Sequence, residues 1–197
     1  MPASKPATLA DITRYPWQRR RDYLLLVAAV AASDSELHPE ELRLLNKWME
    51  EFRLPAKSRE AVMAVAQRKP VELAAVEKRL ARTDLACSIL LDMMGMAMAD
   101  GVLMDDEILL LQGVAEALGI DPIQFNILIE FVHSAHQAAQ LSNPEPLYEH
   151  NIEAAFELLK KHRVRLFSHT LLCVSNPRYN EELKARWAKF AGSPRHG

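Results

Sequence analysis

An internal repeat with an offset of 66 residues constrains the fold of this 197-residue chain more than any other feature. When the chain is aligned with itself at that offset, Asp34 falls on Asp100 and Glu41 falls on Glu107. The apolar positions around them coincide as well, in the pairs Leu24–Leu90, Leu25–Leu91, Leu37–Leu103, Leu45–Leu111 and Leu54–Ile120. A shared spacing over about 30 residues predicts a duplicated structural unit.

Each copy places an acidic segment between an apolar helix and an amphipathic helix. The composition favours helix, with only 6 glycines and an abundance of Ala, Leu, Glu and Met. Proline and glycine positions and apolar spacing predict helices at 17–33, 39–53, 56–68, 71–82, 83–99, 105–118, 122–139 and 149–173, and a short last helix capped by Asn180. The sequence therefore predicts an all-α, compact helical bundle with an internal pseudo-twofold duplication, followed by a C-terminal helical extension.

The boundary between these parts is predicted at the Pro-rich linker Leu141–Pro146. Residues 1–141 form the duplicated helical domain, and residues 142–197 form the extension. The extension contains a basic stretch made of Lys160, Lys161, Arg163 and Arg165. Charge complementarity predicts that it packs back onto the acidic core, and contact with a membrane surface or a protein partner is the open alternative.

Charge is distributed unevenly along the chain. Residues 24–141 carry 10 basic and 18 acidic groups, and no Lys or Arg occurs between Arg82 and Lys160. An acidic surface repels nucleic acid and attracts cations or basic proteins, so we expect a protein partner and no nucleic-acid partner. The alternative is that the acidic face is simply exposed to solvent and has no binding role.

The location of the chain is predicted to be cytoplasmic. The two cysteines, Cys87 and Cys173, form no metal-binding or redox spacing, which is typical of a reducing compartment. Arg19-Arg20-Arg21 followed by apolar residues is similar to an export signal, but the same pattern of positions recurs inside the repeat. No apolar run reaches the length of roughly 18–20 residues that a membrane span needs.

The second acidic segment, with the helix end before it, reads Met98-Ala-Asp-Gly-Val-Leu-Met-Asp-Asp-Glu107, and this pattern resembles the TerB-like tellurite-resistance family over about residues 20–140. The resemblance implies a compact helical bundle with internal pseudo-symmetry and an acidic site for a divalent metal. It also implies a role in stress-response or membrane-proximal complexes, since the same domain type occurs in a membrane-linked J-domain co-chaperone. Ser35 replaces the glycine that the family favours, and His38 and Met104 replace the usual capping residue. These departures favour the second segment over the first as a metal site.

The candidate metal ligands are the carboxylates of the two acidic segments. Asp34 and Glu41 are seven residues apart, as are Asp100 and Glu107, and a tight loop brings such pairs close enough to share a hard cation such as calcium. The predicted ligands are Asp100, Glu107, Asp34, Glu41 and Asp106. Neither segment is an EF-hand loop, because its first two ligand positions would be Met96 and Met98, or Val30 and Ala32. Helix capping alone and a site for a basic partner remain alternatives.

Two weaker patterns do not change this interpretation. The methionines at 93, 94, 96, 98 and 104 are typical of core filler, with an adaptable binding surface or a soft-metal site as the alternative. Glu130 and His133 have the spacing of one half of a di-iron site, but no second such pair occurs. Because common catalytic templates are missing, we expect a non-enzymatic, metal-binding module, with a metal-free interaction scaffold as the alternative.

Overall fold

The computed structural model describes residues 9–33, 37–69, 72–98, 103–140, 146–162, 164–170, 172 and 176–192. Within these residues the fold is all-α, as predicted, and contains no β-strand. The nine helices are α1 (Trp17–Ala31), α2 (Pro39–Glu51), α3 (Ala56–Ala66), α4 (Leu73–Leu80), α5 (Ala86–Ala97), α6 (Asp105–Leu118), α7 (Pro122–Gln140), α8 (Pro146–Lys161) and α9 (Pro177–Gly192). A 3-10 turn, Ile12–Arg14, precedes them. The internal duplication stays a prediction.

The centre of the bundle is α1, which packs against α2, α3, α4, α5 and α6. Its residues Tyr23–Ala28 are buried on every side, so the helix has no polar face in its middle turns. Helix α5 is equally buried and contacts α1, α6 and α7. Met93, Met94, Met96 and Met98 are buried, which confirms that these four methionines fill the core, whereas Met104 is 57% exposed and does not. In the described part of the chain, no helix combines the length and apolarity needed to cross a membrane.

The junction between α6 and α7 forms as the sequence predicts. Gly119 ends α6 in the left-handed conformation, with φ of 76°, which glycine adopts without steric cost. A Cβ atom at this position would lie 3.1 Å from Cγ of Arg82. The Asp121 carboxylate then accepts the Gln124 backbone N–H at 2.9 Å, so it caps the start of α7.

The C-terminal extension departs from the predicted helix over 149–173. Helix α8 ends at Lys161, and the described residues 164–170 are non-helical. The apolar spacing correctly indicates that Leu166 and Phe167 are buried. They pack against the core from an irregular segment rather than from a helix. The cap of α9 also differs, because the Asn176 side chain accepts the Tyr179 N–H at 3.1 Å. Asn180 instead accepts the Leu172 N–H at 2.7 Å.

Helices α7, α8 and α9 form a second layer, which meets the rest of the bundle where α7 contacts α5. Helix α8 packs along α7, and α9 contacts α8. Phe156 of α8 is the centre of this layer, with ring contacts to Phe131, Trp187 and Phe190 at centroid distances of 5.4–5.7 Å. Aromatic pairs at such distances contribute beyond the area that they bury.

Candidate functional site

The first acidic junction, residues 34–41, leads into α2. Glu41 lies in the first turn of α2, and its Oε2 accepts the His38 backbone N–H at 2.9 Å. The Nδ1 atom of His38 faces the Glu40 backbone N–H at 3.4 Å. The Glu41 side chain is buried, with 5% of the residue exposed. Together these contacts satisfy backbone donors that the start of a helix leaves unpaired.

The second acidic junction, residues 100–107, repeats this arrangement at the start of α6. Oε2 of Glu107 accepts the Met104 backbone N–H at 2.8 Å, and only 4% of Glu107 is exposed. Asp105 and Asp106 precede it in the same turn and are exposed. The turn therefore carries three carboxylates, against a helix dipole equivalent to roughly half a positive charge. The net electrostatic potential at this turn is therefore negative.

The predicted metal cluster is only partly visible in the structure. Glu41, Glu107 and Asp106 are described, whereas Asp34 and Asp100 lie outside the described residues. Within the described ranges, no three His, Cys, Asp or Glu side chains are grouped so that they could hold a metal ion. Glu41 and Glu107 act as helix caps, as the alternative interpretation predicts, and both take part in further interactions. The metal site formed by the predicted ligands stays a prediction.

A buried polar cluster lies at the centre of the bundle, and its members are not among the site residues predicted from the sequence. The Tyr23 hydroxyl donates to Oδ2 of Asp92 at 2.5 Å, and Nε2 of His169 lies 3.0 Å from the same oxygen. All three side chains are essentially excluded from solvent. Burial, together with the charge of Asp92 and its hydrogen bond, raises the pKa of Tyr23 well above its usual value. Tyr23 therefore remains a hydrogen-bond donor to Asp92 at neutral pH.

Aromatic rings enclose the His169 imidazole. Its ring centroid lies 4.5 Å from Phe52, 5.5 Å from Tyr23, 5.9 Å from Trp48 and 5.4 Å from Phe167. The Nδ1 atom has no hydrogen-bond partner among the described residues. Burying a carboxylate in such an apolar shell costs free energy unless it is hydrogen-bonded. Tyr23 and His169 are the groups that reduce this cost for Asp92.

One sequence signal pointed to this cluster. Asp92 interrupts the apolar run Ile89-Leu-Leu-Asp-Met-Met-Gly-Met-Ala97, and a charged residue inside a fully apolar helix requires a buried partner. The partner could not be identified from local spacing, because His169 lies far along the chain in the extension. Its position is a consequence of tertiary packing alone.

The extension contacts the core at further points. Arg165 forms an ion pair with Asp84 at 3.2 Å, and the Tyr15 hydroxyl donates to the same carboxylate at 2.6 Å. The Ala10 backbone N–H donates to the Leu166 carbonyl at 3.0 Å. Of the predicted basic stretch, Arg165 thus pairs with an acidic group of the core. Lys160 instead donates to the Phe190 carbonyl of α9, and Arg163 lies outside the described residues.

The remaining chemically active side chains have structural surroundings. Burial, helped by the charge of Asp121, raises the pKa of the Cys87 thiol to about 11, so the thiolate is scarce at neutral pH. Glu130 and His133 line an open groove between α7 and α8. His136 is buried and hydrogen-bonded to Gln140 at 2.8 Å, and its burial lowers its pKa.

The described part of the protein is all-helical. Its two junctions have one feature in common, an acidic turn at the start of an amphipathic helix. The family model described as "Tellurite resistance protein TerB" matches residues 20–129, which is more than half of the chain. The chain belongs to the TerB family. Neither a curated protein nor a solved structure matched it.

The family match divides the buried cluster between two regions of the chain. Tyr23 and Asp92 lie inside the matched residues, and His169 lies beyond them. The match also contains both acidic junctions. It ends within α7, so α8, the segment after it and α9 are additions to the matched region.

Proposed function

We propose that this TerB-family protein is a non-catalytic binding module that takes a divalent cation, calcium or a similar ion, at its acidic junctions. It would act in a cytoplasmic stress-response complex, with a protein partner and contact with the membrane periphery as further parts of the proposal. The family membership supports a TerB-like module. The surroundings of the second junction support the choice of a cation.

The observation that carries the proposal is the charge around α6. Residues 83–159 contain 13 carboxylates and neither Lys nor Arg. The first turn of α6 concentrates Asp105, Asp106 and Glu107, and Asp100 comes five residues before Asp105 in the sequence. Oxygen ligands of this kind suit hard cations. A cation from solution, or a basic partner, would be attracted by this excess of negative charge.

Cation binding to the folded state raises its melting temperature by mass action. We expect calcium, added to metal-free protein at about 100 times its dissociation constant, to stabilise the fold by about 2.7 kcal/mol. Glu107→Gln should abolish most of this shift, because the amide carries no negative charge to attract the cation. The amide oxygen can still accept the Met104 backbone N–H, so the helix cap is kept. Differential scanning calorimetry with calcium, magnesium and manganese measures the effect.

Glu116→Gln is the matched control, since Glu116 is an exposed glutamate on the same helix, away from the junction. It should leave the cation-dependent shift unchanged. The corresponding change Glu41→Gln tests the first junction, where we expect a smaller loss. A native protein that shows no shift with millimolar divalent ion would contradict the proposal.

A metal-free interaction scaffold is the second candidate, and two exposed apolar side chains favour it. Leu109 on α6 and Ile123 on α7 are 64% and 69% exposed, so both side chains are accessible to a protein partner. Affinity capture in the presence of a chelator tests this function. A specific protein that binds the native chain and is lost with Leu109→Asp supports the scaffold, whereas identical capture by both chains counts against it.

A further inference from the structure

A cluster of arginines lies on the surface where α1 meets α4. The Asp22 carboxylate is buried, with 3% of the residue exposed, and accepts hydrogen bonds from two guanidinium groups. Arg79 donates through Nε at 2.6 Å and Nη2 at 3.1 Å, and Arg21 donates through Nη2 at 2.9 Å and Nε at 3.2 Å. Arg19 lies beside them on the same surface and makes no ion pair with any described residue.

These residues line an open depression of about 510 Å³, whose walls are Gln18, Arg19, Arg21, Asp22 and Arg79. Three positive charges face one negative charge, so the depression has a net charge of about +2. A guanidinium group has five N–H donors, and Asp22 occupies two donors on each of two arginines. The other donors remain available to an anion.

The buried carboxylate also orders the arginines in advance. An isolated surface arginine loses considerable rotamer entropy when it binds a ligand. Here Asp22 holds Arg21 and Arg79 in two-point contacts, and Arg21 is also placed over the Trp17 ring at 5.7 Å from its centroid. Part of the arginine rotamer entropy is therefore already lost in the free protein, so less is lost when a ligand binds, which favours binding.

We infer that Arg19, Arg21 and Arg79, held around Asp22, form an arginine clamp for a phosphoryl group. A phosphoryl monoester carries a charge of about −1.5 to −2 at neutral pH, which matches the net charge of the clamp. Its three acceptor oxygens suit planar guanidinium groups, which bind such oxygens in pairs. The phosphoryl group belongs either to a small phosphorylated solute or to a lipid headgroup. The inference shares no residue with the acidic junctions and stands or falls separately from the proposed function.

Inorganic phosphate is the first probe, titrated against chloride at constant ionic strength. Trp17 reports binding through its fluorescence, because it is 39% exposed beside Arg21, whereas Trp48 and Trp187 are buried. We expect a saturable change with phosphate and none with chloride. Trp17→Phe should remove the signal, and a response that survives this change would place the ligand elsewhere and overturn the inference.

The decisive variant is Arg19→Gln/Arg21→Gln, which leaves the Arg79–Asp22 pair to support the fold. We expect phosphate binding to weaken by at least about tenfold, the loss expected for one or more charged hydrogen bonds. Arg21→Lys keeps the charge but cannot make the two-point contact, so it should weaken binding by a smaller factor. The matched control Arg43→Gln/Lys47→Gln removes two surface cations of α2, each of which forms an ion pair within that helix, and should bind as the native protein does.

Vesicles distinguish the two sources of the phosphoryl group. Binding to phosphatidylcholine vesicles that contain phosphatidic acid, with weak binding of free phosphate, identifies a lipid headgroup. Saturation by free phosphate with no vesicle binding identifies a small solute. Either result supports the clamp only if the double arginine variant loses it. No binding by the native protein, or an equal loss in the Arg43/Lys47 control, overturns the inference.

Discussion

Asp92→Ala is expected to lower the free energy of unfolding by about 2–6 kcal/mol, because it leaves two buried polar groups unsatisfied at about 1–3 kcal/mol each. The substitution leaves the Tyr23 hydroxyl and Nε2 of His169 without their shared acceptor in a shell of aromatic rings. Urea unfolding followed by circular dichroism measures the change. Asp92→Asn retains an acceptor oxygen and should cost less than the alanine variant.

The structure offers a matched control in Asp84→Ala. Asp84 also pairs with the extension, through Arg165, but the two side chains are 42% and 54% exposed. An exposed pair of this kind contributes about 0–1 kcal/mol. Equal destabilisation by Asp84→Ala and Asp92→Ala would show that the buried cluster has no special role.

Removal of residues 142–197 is expected to abolish cooperative folding of the remaining chain. The deletion removes the buried side chains of Ile152, Phe156, Leu159 and Phe167, each worth about 1.5–3 kcal/mol of burial. It also exposes the core surfaces that they cover and leaves Asp92 without His169. The summed loss is comparable with the total stability of about 5–15 kcal/mol that a typical domain has. Calorimetry and amide exchange on the truncated chain test the expectation.

The full-length variant Phe167→Ala distinguishes the effect of lost core packing from the effect of shortening the chain. It should destabilise the protein by about 3–5 kcal/mol, because Phe167 is fully buried against His169 and Tyr15. A truncated chain that melts cooperatively near the native temperature would show that residues 1–141 are an independent domain. A failure to fold would instead make the extension part of one cooperative unit.

Much of the helical architecture was predictable, because helix boundaries depend on local chemistry. Pro39, Gly119 and Asp121 act at the helix ends where the sequence places them. Glu41 and Glu107 lie in the first helical turns, as their spacing predicts. The resemblance to the TerB family, drawn from the second acidic segment, was confirmed by the family match over residues 20–129.

The extension was predicted less well, and the reason is physical. Ile152, Phe156 and Leu159 have the spacing of a helix face and lie on α8. Leu166 and Phe167 continue that spacing, yet they leave the helix because the core accepts them from an irregular segment. Apolar periodicity records which residues are buried, and it does not distinguish a helix from a segment that reaches the same core by another path.

The sequence by itself determined the helical class, the caps of α2, α6 and α7, and the two acidic junctions, because each of these depends on residues a few positions apart. Only the tertiary structure decided which distant polar groups meet. It joined Asp92 to His169 in the core, and it brought Arg79 of α4 against Asp22 of α1. Both pairs depend on how helices pack, and packing is a property of the whole folded chain that no local pattern records.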